Sequence, residues 1–162
     1  MAELSVMVDA SVWLGNYVAT RAGHRSSRRF LQAACEHRVK LLYPASTLKD
    51  VFYLIEGEFK HQIRAERGAC EEADSAIVRQ LAWGCVDNMR ELATAVGVDE
   101  SDLWLACKFR SLSPDLGDAM VFAAMQRSRA DYLVTLDARL ARHAPFAALS
   151  PDDLCALQEW HT

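Results

Sequence analysis

The chain has 162 residues, of which 51% are hydrophobic and 25% are charged. This length and composition predict one folded domain over residues 1–162 with a sizeable core, and they exclude a largely disordered protein. A net charge of −4 at pH 7 argues against a protein that coats nucleic acid through its overall field. No apolar run reaches the roughly 20 residues that span a bilayer, and no targeting sequence follows Met1, so we expect a cytoplasmic protein with no membrane partner.

The cysteines and histidines indicate neither disulfides nor a zinc site. The five cysteines form no C-x-x-C pair, and the five histidines show no H-x-x-x-H spacing. We therefore expect the cysteines to be buried free thiols. They are Cys35, Cys70, Cys85, Cys107 and Cys155.

Short apolar runs alternate with helical patterns along the first half of the chain. Residues 4–8 form an apolar run of strand length that stops at Asp9, and a helical pattern can follow. A second apolar run ends at Pro44, where proline favours a helix start. The predicted elements are a strand at 4–8, a helix at 10–19, a helix at 26–37, a strand at 39–43, a helix from Pro44 with a possible end at Gly57, and a helix at 71–95 with a possible break at Gly84.

The second half repeats this alternation and completes the predicted architecture. Its elements are a helix at 101–110, a helix announced by Ser113 and Pro114, a strand at 131–136, an extended segment at 145–149 and a final helix from Ser150. Parallel strands need a crossover connection, which is usually a helix. We therefore predict a three-layer α/β/α fold with a short central parallel sheet flanked by helices.

Two aspartates stand where predicted strands end. Asp9 follows the first strand, and Asp137 follows the strand at 131–136. In open parallel sheets, binding sites lie beyond the carboxyl ends of the strands, so both carboxylates are placed at that edge. Each aspartate could instead cap the helix that follows it.

Two further aspartates lie inside predicted helices. Asp118 shares one helical face with apolar side chains at 121–125, so it is poorly placed for solvent, although a first-turn carboxylate is also favoured by the helix dipole. Asp50 lies three residues after Thr47, where a capping box is conceivable. If these four carboxylates lie close together they repel each other, and a hard divalent cation is the natural partner.

Four segments resemble the motifs of the PIN-domain family. Residues 6–14 are similar to the family's first strand and aspartate, and 44–54 to its second motif, with Asp50 where glutamate is commoner. Residues 118–125 resemble the third motif, and 130–137 the fourth, in which a strand ends in T-x-D. The resemblance runs from Val6 to about Leu157, and the order and spacing of the motifs carry it.

This resemblance implies a metal-dependent endoribonuclease. It places one or two Mg²⁺ or Mn²⁺ ions on Asp9, Asp50, Asp118 and Asp137, with Asp115 and Thr135 as secondary residues. Many bacterial PIN proteins of this size are toxins that a small antitoxin neutralises, often as dimers. The expected partners are therefore an RNA substrate, an antitoxin and a second copy of the chain.

A basic segment near the N-terminus is the predicted contact with the RNA backbone. It contains Arg21, Arg25, Arg28 and Arg29. An arginine-rich run is more often a solvated face than a phosphate track, and that alternative stays open here.

Other functions fit the sequence less well. A phosphotransfer hydrolase with Asp9 as nucleophile needs a second acid at position 11, which is serine. A phospho-acceptor receiver domain needs its acceptor after a strand, whereas Asp50 falls in a helix. The alternative that remains is a catalytically inactive PIN-like module that binds RNA or another protein, because one fold supports many functions.

Overall fold

In the computed structural model, which describes residues 3–157, the strands form a parallel sheet covered by helices. Within these residues the strand order is β3-β2-β1-β4-β5, and each neighbouring pair is parallel. The strands are β1 (Ser5–Val8), β2 (Lys40–Pro44), β3 (Thr94–Val96), β4 (Tyr132–Val134) and β5 (Ala148–Leu149). The helices are α1 (Ala10–Tyr17), α2 (His24–Glu36), α3 (Ala45–Arg67), α4 (Glu72–Leu92), α5 (Glu100–Phe109), α6 (Leu116–Ser128), α7 (Ala138–His143) and α8 (Pro151–Ala156).

Hydrophobic side chains fill both sides of this sheet. Successive strand residues point to opposite faces, and in β1 Val6 and Val8 join one core cluster whereas Met7 joins another. The first cluster includes Trp13 from α1, and the second includes Phe122 from α6. The predicted three-layer α/β/α fold is therefore confirmed.

The two long helices correct the sequence prediction at their glycines. Helix α3 passes Gly57 without interruption and ends at Arg67, and α4 passes Gly84. One interior glycine costs a helix only about 1 kcal/mol relative to alanine, and the packing of α3 against α4 offsets that cost. Both glycines lie where no other atom is near their Cβ position.

The end of α4 is a second correction. The predicted helix ran to residue 95, but α4 ends at Leu92 and Thr94–Val96 forms β3. Ala93 adopts an extended conformation, and β3 then pairs in parallel with β2. Backbone hydrogen bonding to a neighbouring strand determines the structure of this segment and overrides its local helical pattern. Such an override is common in so short a segment.

Two expectations concern the chain as a whole. No helix within residues 3–157 is long and apolar enough to cross a membrane. All five cysteines are free, as predicted. Their predicted burial is wrong for all but Cys85: Cys70 and Cys155 are partly buried, and Cys35 and Cys107 lie on the solvent-facing sides of α2 and α5. The single domain over residues 1–162 stays a prediction, and its ends at 1–2 and 158–162 lie outside the described residues.

The segment before α2 requires glycine at one position. Gly23 has a φ of +84°, and a Cβ there would lie 2.6 Å from Cδ1 of Leu136. We expect Gly23→Ala to lower the free energy of unfolding by about 1–2 kcal/mol, because an L-residue is strained at this φ and Leu136 must also move. Gly57→Ala is the control and should raise stability by about 0.5–1 kcal/mol. Chemical denaturation measures both, and a Gly23→Ala variant as stable as the parent contradicts the argument.

Candidate active site

The pairing of β1 with β4 brings Asp9 next to Thr135. Val8 is in register with Val134, and the backbone N–H of Asp9 donates to the carbonyl of Val134 at 3.0 Å. The Thr135 hydroxyl donates to Oδ2 of Asp9 at 2.9 Å, and the Ser11 hydroxyl donates to the same oxygen at 2.6 Å. Two hydroxyl groups therefore fix the orientation of this carboxylate.

The Thr135 hydroxyl also contacts Asp137. Its oxygen accepts from the backbone N–H of Asp137 at 3.0 Å. Oδ1 of Asp137 caps α7 by accepting from the N–H groups of Arg139 at 2.8 Å and Leu140 at 3.2 Å. Asp9 likewise caps α1 through the N–H of Ser11. Both strand-end aspartates are helix caps, and Thr135 links them into one network.

Asp118 lies in the first turn of α6 and is only 8% exposed. Its Oδ2 accepts from the Ser113 hydroxyl at 2.7 Å and lies 3.7 Å from Nη2 of Arg139. Asp115, the exposed cap of α6, accepts from the N–H of Asp118 at 3.0 Å. Because the backbone of Arg139 also binds Asp137, this one residue connects Asp118 to the network at the end of β4.

Asp50 lies on α3 and is half-exposed. It lies in the second turn of α3, its side chain is 48% exposed, and Nζ of Lys49 is 4.0 Å from its carboxylate. Among the described residues, no hydrogen bond joins Asp50 to Asp9, Asp118 or Asp137. The capping box with Thr47 is not formed, because α3 begins at Ala45 and its cap, Pro44, has no side-chain bond.

The predicted RNA-binding arginines lie in the loop before α2 and in its first two turns. Nη1 of Arg21 is 2.7 Å from Oε2 of Glu58, and Nη2 of Arg29 is 2.6 Å from Oδ1 of Asp152. The side chains of the other two arginines are exposed. Half of the predicted basic segment is therefore already engaged with carboxylates.

The acids do not form a compact cage. Within residues 3–157, no three or more His, Cys, Asp or Glu side chains lie close enough together to hold a metal ion. Hydroxyl groups and Arg139 occupy the contacts between Asp9, Asp137 and Asp118. Magnesium keeps several waters and needs only one or two direct carboxylates, so this all-oxygen donor set fits a hydrated Mg²⁺ or Mn²⁺ ion.

Burial makes the charge on Asp9 costly. Desolvation raises the pKa of its carboxyl above the ordinary value, although the hydrogen bonds from Ser11 and Thr135 oppose this shift. A carboxylate in this position gains most from a nearby cation, because the cation offsets the cost of its burial. A cation held beside Asp9 would therefore lower this pKa again.

Sequence reasoning missed three residues of this network. Ser11 was considered only as a missing acid and Ser113 only as a helix start, and Arg139 was not singled out. The signal for Ser11 is its place two residues after a strand-end aspartate, where a hydroxyl can reach the carboxylate. No comparable local signal marks Ser113 or Arg139, whose contacts depend on how α6 and α7 meet.

Comparison with protein families gives one match over most of the chain. A sequence model described as the PIN domain matches residues 6–145. No curated protein sequence matches the chain.

Solved structures share the fold at low sequence identity. VapBC2 from Rickettsia felis, bound to a DNA fragment from their promoter, has a TM-score of 0.63 and 8% identity, covering 91% of this chain and 98% of that chain. VapC20 from Mycobacterium tuberculosis, a toxin that cleaves the sarcin-ricin loop, has a TM-score of 0.61 and 15% identity, covering 88% and 96%. FitAcB from Neisseria gonorrhoeae has a TM-score of 0.63 and 12% identity, covering 90% and 97%.

The raised pKa of Asp9 gives a prediction for stability against pH. Above its ordinary value of 3.8 the folded state binds more protons than the unfolded state, so stability falls as the pH rises through the raised value. Asp9→Asn removes this ionisation and keeps an oxygen that accepts from Ser11 and Thr135. We expect the variant to melt higher than the parent at neutral pH in chelator, and the difference to vanish below about pH 4.

Divalent ions provide the control for this prediction. Added Mg²⁺ or Mn²⁺ should raise the melting temperature of the parent and leave that of Asp9→Asn unchanged, because a ligand stabilises only the state that binds it. Melting curves that differ by the same amount at every pH contradict a partly buried, ionisable Asp9.

Proposed function

This chain belongs to the PIN-domain family, since the family's model matches residues 6–145, and we propose that it is a divalent-metal-dependent endoribonuclease. It hydrolyses RNA phosphodiester bonds, and it acts as the toxin of a type II toxin–antitoxin pair in the cytoplasm. The observation that carries the proposal is the network at the ends of β1 and β4, in which Thr135 joins Asp9 to Asp137 and Arg139 joins Asp137 to Asp118.

The donor chemistry supports a hard metal ion. Asp9, Asp118 and Asp137 offer carboxylate oxygens, which are the ligands that Mg²⁺ and Mn²⁺ prefer. When bound, one or two ions would supply a nucleophilic water and stabilise the charge on the phosphoryl oxygens. In the hydrolysis, the oxygen of water bonds to phosphorus, the bond from phosphorus to the 3′ oxygen breaks, and that oxygen takes up a proton.

The residues of the chain have separate roles in this proposal. Asp9 and Asp118 hold the ion directly or through water, and each is oriented by a hydroxyl, from Ser11 and Ser113 respectively. Asp137 completes the set, and Thr135 keeps it in register with Asp9.

Two other acids have lesser roles. Asp50 is half-exposed and, within residues 3–157, shares no hydrogen bond with the other three acids, so its role is to hold a second ion or to orient the attacking water. Asp115 caps α6 and thereby positions Asp118.

Exposed hydrophobic side chains support a protein partner. Tyr53 and Trp83 are 63% and 56% exposed, and with Phe52 they line an apolar groove between α3 and α4. A second group on α5 and at the start of α6 includes Trp104 and Leu116. Surfaces of this kind mark protein–protein contacts, which suits an antitoxin and a second copy of the chain.

The test of the activity is RNA cleavage by the purified protein. Labelled single-stranded RNA should be cut only with Mg²⁺ or Mn²⁺, and Asp9→Asn and Asp118→Asn should each reduce the rate by about 100-fold or more. Asp87→Asn is the matched control and should leave the rate unchanged, because this exposed aspartate on α4 pairs only with Arg90 among residues 3–157. If several RNAs stay intact and calorimetry shows no binding of Mn²⁺, the acids are structural and the inactive interaction module is the better description.

Arg139 gives a separate prediction for metal affinity. Its guanidinium lies 3.7 Å from Asp118 and is 55% exposed, so it offsets part of the negative charge that would attract a cation. We expect Arg139→Gln to bind Mn²⁺ about 2- to 5-fold more tightly in isothermal titration calorimetry, the range of a partly exposed ion pair. Arg142→Gln on the same helix is the control and should match the parent. Weaker binding by Arg139→Gln would show that Arg139 helps to build the metal site.

A further inference from the structure

A cavity of about 760 Å³ opens at the start of α2, away from the acids themselves. This is within the range of roughly 300–1,000 Å³ that is usual for ligand pockets. Arg21, Arg25 and Arg29 line it together with His24 and a single carboxylate, Asp152. We call it the arginine cavity.

The charges of the arginine cavity suit an anion with several acceptor oxygens. Arg21 and Arg29 each use one nitrogen on a carboxylate, Glu58 or Asp152, and a guanidinium has five N–H donors, so both arginines retain donors. Arg25 forms no ion pair with any acid in the part of the chain that the structure describes. Arginine binds phosphate through paired N–H groups, which makes a phosphate group the best match.

Backbone contacts tie this cavity to the acidic network. Gly23, in the cavity wall, packs so closely on Leu136 that a Cβ would lie 2.6 Å from its Cδ1. Leu136 stands in the chain between Thr135 and Asp137. The wall of the cavity therefore contacts the residue that lies between Thr135 and Asp137 in the chain.

A second contact holds the cavity in place from the other side. Nδ1 of His24 lies 2.8 Å from the carbonyl oxygen of Gly15 in α1, and since a carbonyl only accepts, Nδ1 is the donor. Helix α1 begins directly after Asp9. The start of α2 is thus fixed relative to both Asp9 and Asp137.

We propose that the arginine cavity binds a backbone phosphate of single-stranded RNA that neighbours the bond to be cut. The inference rests on the proposed ribonuclease function and assigns it a substrate subsite. RNA must approach a group of carboxylates on a chain with a net charge of −4, so a local cationic pocket has to offset that repulsion. Arg28 does not line the cavity, and the subsite excludes it.

The ion pair with Asp152 holds Arg29 in place while the cavity is empty. Both side chains of the pair are mostly exposed, at 66% and 58%, and such pairs are worth little in water. An RNA phosphate can therefore replace the carboxylate of Asp152 on Arg29 at small cost. Removing the charge of Asp152 should strengthen RNA binding.

The experiment measures binding of a fluorescently labelled single-stranded RNA oligonucleotide to the full chain in chelator, by anisotropy. Arg25→Ala should weaken binding about 10-fold, as expected for the loss of a charged hydrogen bond, and should reduce the slope of log affinity against log salt by about 0.7. Arg25→Lys should fall in between. Arg28→Ala, one helical turn away, is the matched control and should stay within about twofold of the parent, whereas Asp152→Asn should bind about 2- to 5-fold more tightly.

Three outcomes would overturn the subsite. Equal losses from Arg25→Ala and Arg28→Ala would show a diffuse field rather than a pocket. No loss from either variant would show that RNA does not bind at this cavity. Competition by poly-glutamate as effective as that of unlabelled RNA of equal charge would assign the cavity to an acidic protein segment.

Cleavage kinetics separate this inference from the proposed function. If the subsite is correct, Arg25→Ala should raise KM and leave kcat within about twofold, because a contact made equally before and during the reaction affects only binding. A parent that cuts RNA, with Arg25→Ala and Arg28→Ala binding alike, overturns the cavity and keeps the nuclease. Arg25-dependent binding by a parent that neither cuts RNA nor binds Mn²⁺ overturns the nuclease and keeps the cavity.

Discussion

Parallel pairing of β1 with β4 places Asp9 beside Thr135, because Val8 and Val134 are in register and the next backbone N–H continues the ladder. Both strands end at this point, so the chain turns into α1 on one side and into α7 on the other. The aspartate at each turn satisfies the first N–H groups of the helix that follows. A slip of one residue in this pairing would turn Thr135 to the opposite face of the sheet and separate the two acids. The site thus depends on a strand register that the cores on both faces of the sheet enforce.

Capping and metal binding make different demands on the same carboxylates. A cap needs one oxygen that accepts backbone N–H groups, and Asp137 uses Oδ1 for this purpose. Asp9 accepts the Ser11 and Thr135 hydroxyls on Oδ2 alone. A carboxylate has a second oxygen with free lone pairs, so one group can serve both purposes. Burial raises the pKa of Asp9, so its charged form is costly in this position. At Asp118, the guanidinium of Arg139 offsets part of the negative charge of the carboxylate.

The sequence was most informative where a local pattern and the fold agree. The apolar run before Asp9 and the T-x-D end of β4 predicted two strand ends and two acids at one edge, and the structure has both strands there. Strand β3 could not be predicted, because three residues directly after a long helix are too few to show the alternation of apolar and polar side chains that marks a strand. The sequence indicated a possible end of helix α3 at Gly57, because the packing against α4 that stabilises the helix is not visible in the local sequence. The half-exposed position of Asp50 could not be predicted either, since it depends on the direction in which α3 leaves β2.

The spatial separation of charges explains how an acidic chain could act on a polyanion. Carboxylates gather where β1 and β4 end, and arginines gather at the start of α2, with Leu136 between the two groups. Cations placed among the acids would neutralise them, as Arg139 partly does at Asp118. The arginines at the start of α2 make no ion pair with these acids and so leave the carboxylates free for a metal ion. They still lower the local electrostatic repulsion of RNA, because charges interact over about 8–10 Å at physiological salt. The left-handed turn at Gly23 makes this close packing possible, because a Cβ at this position would displace the side chain of Leu136. The same glycine that the stability of this loop requires therefore holds the wall of the phosphate subsite against Leu136.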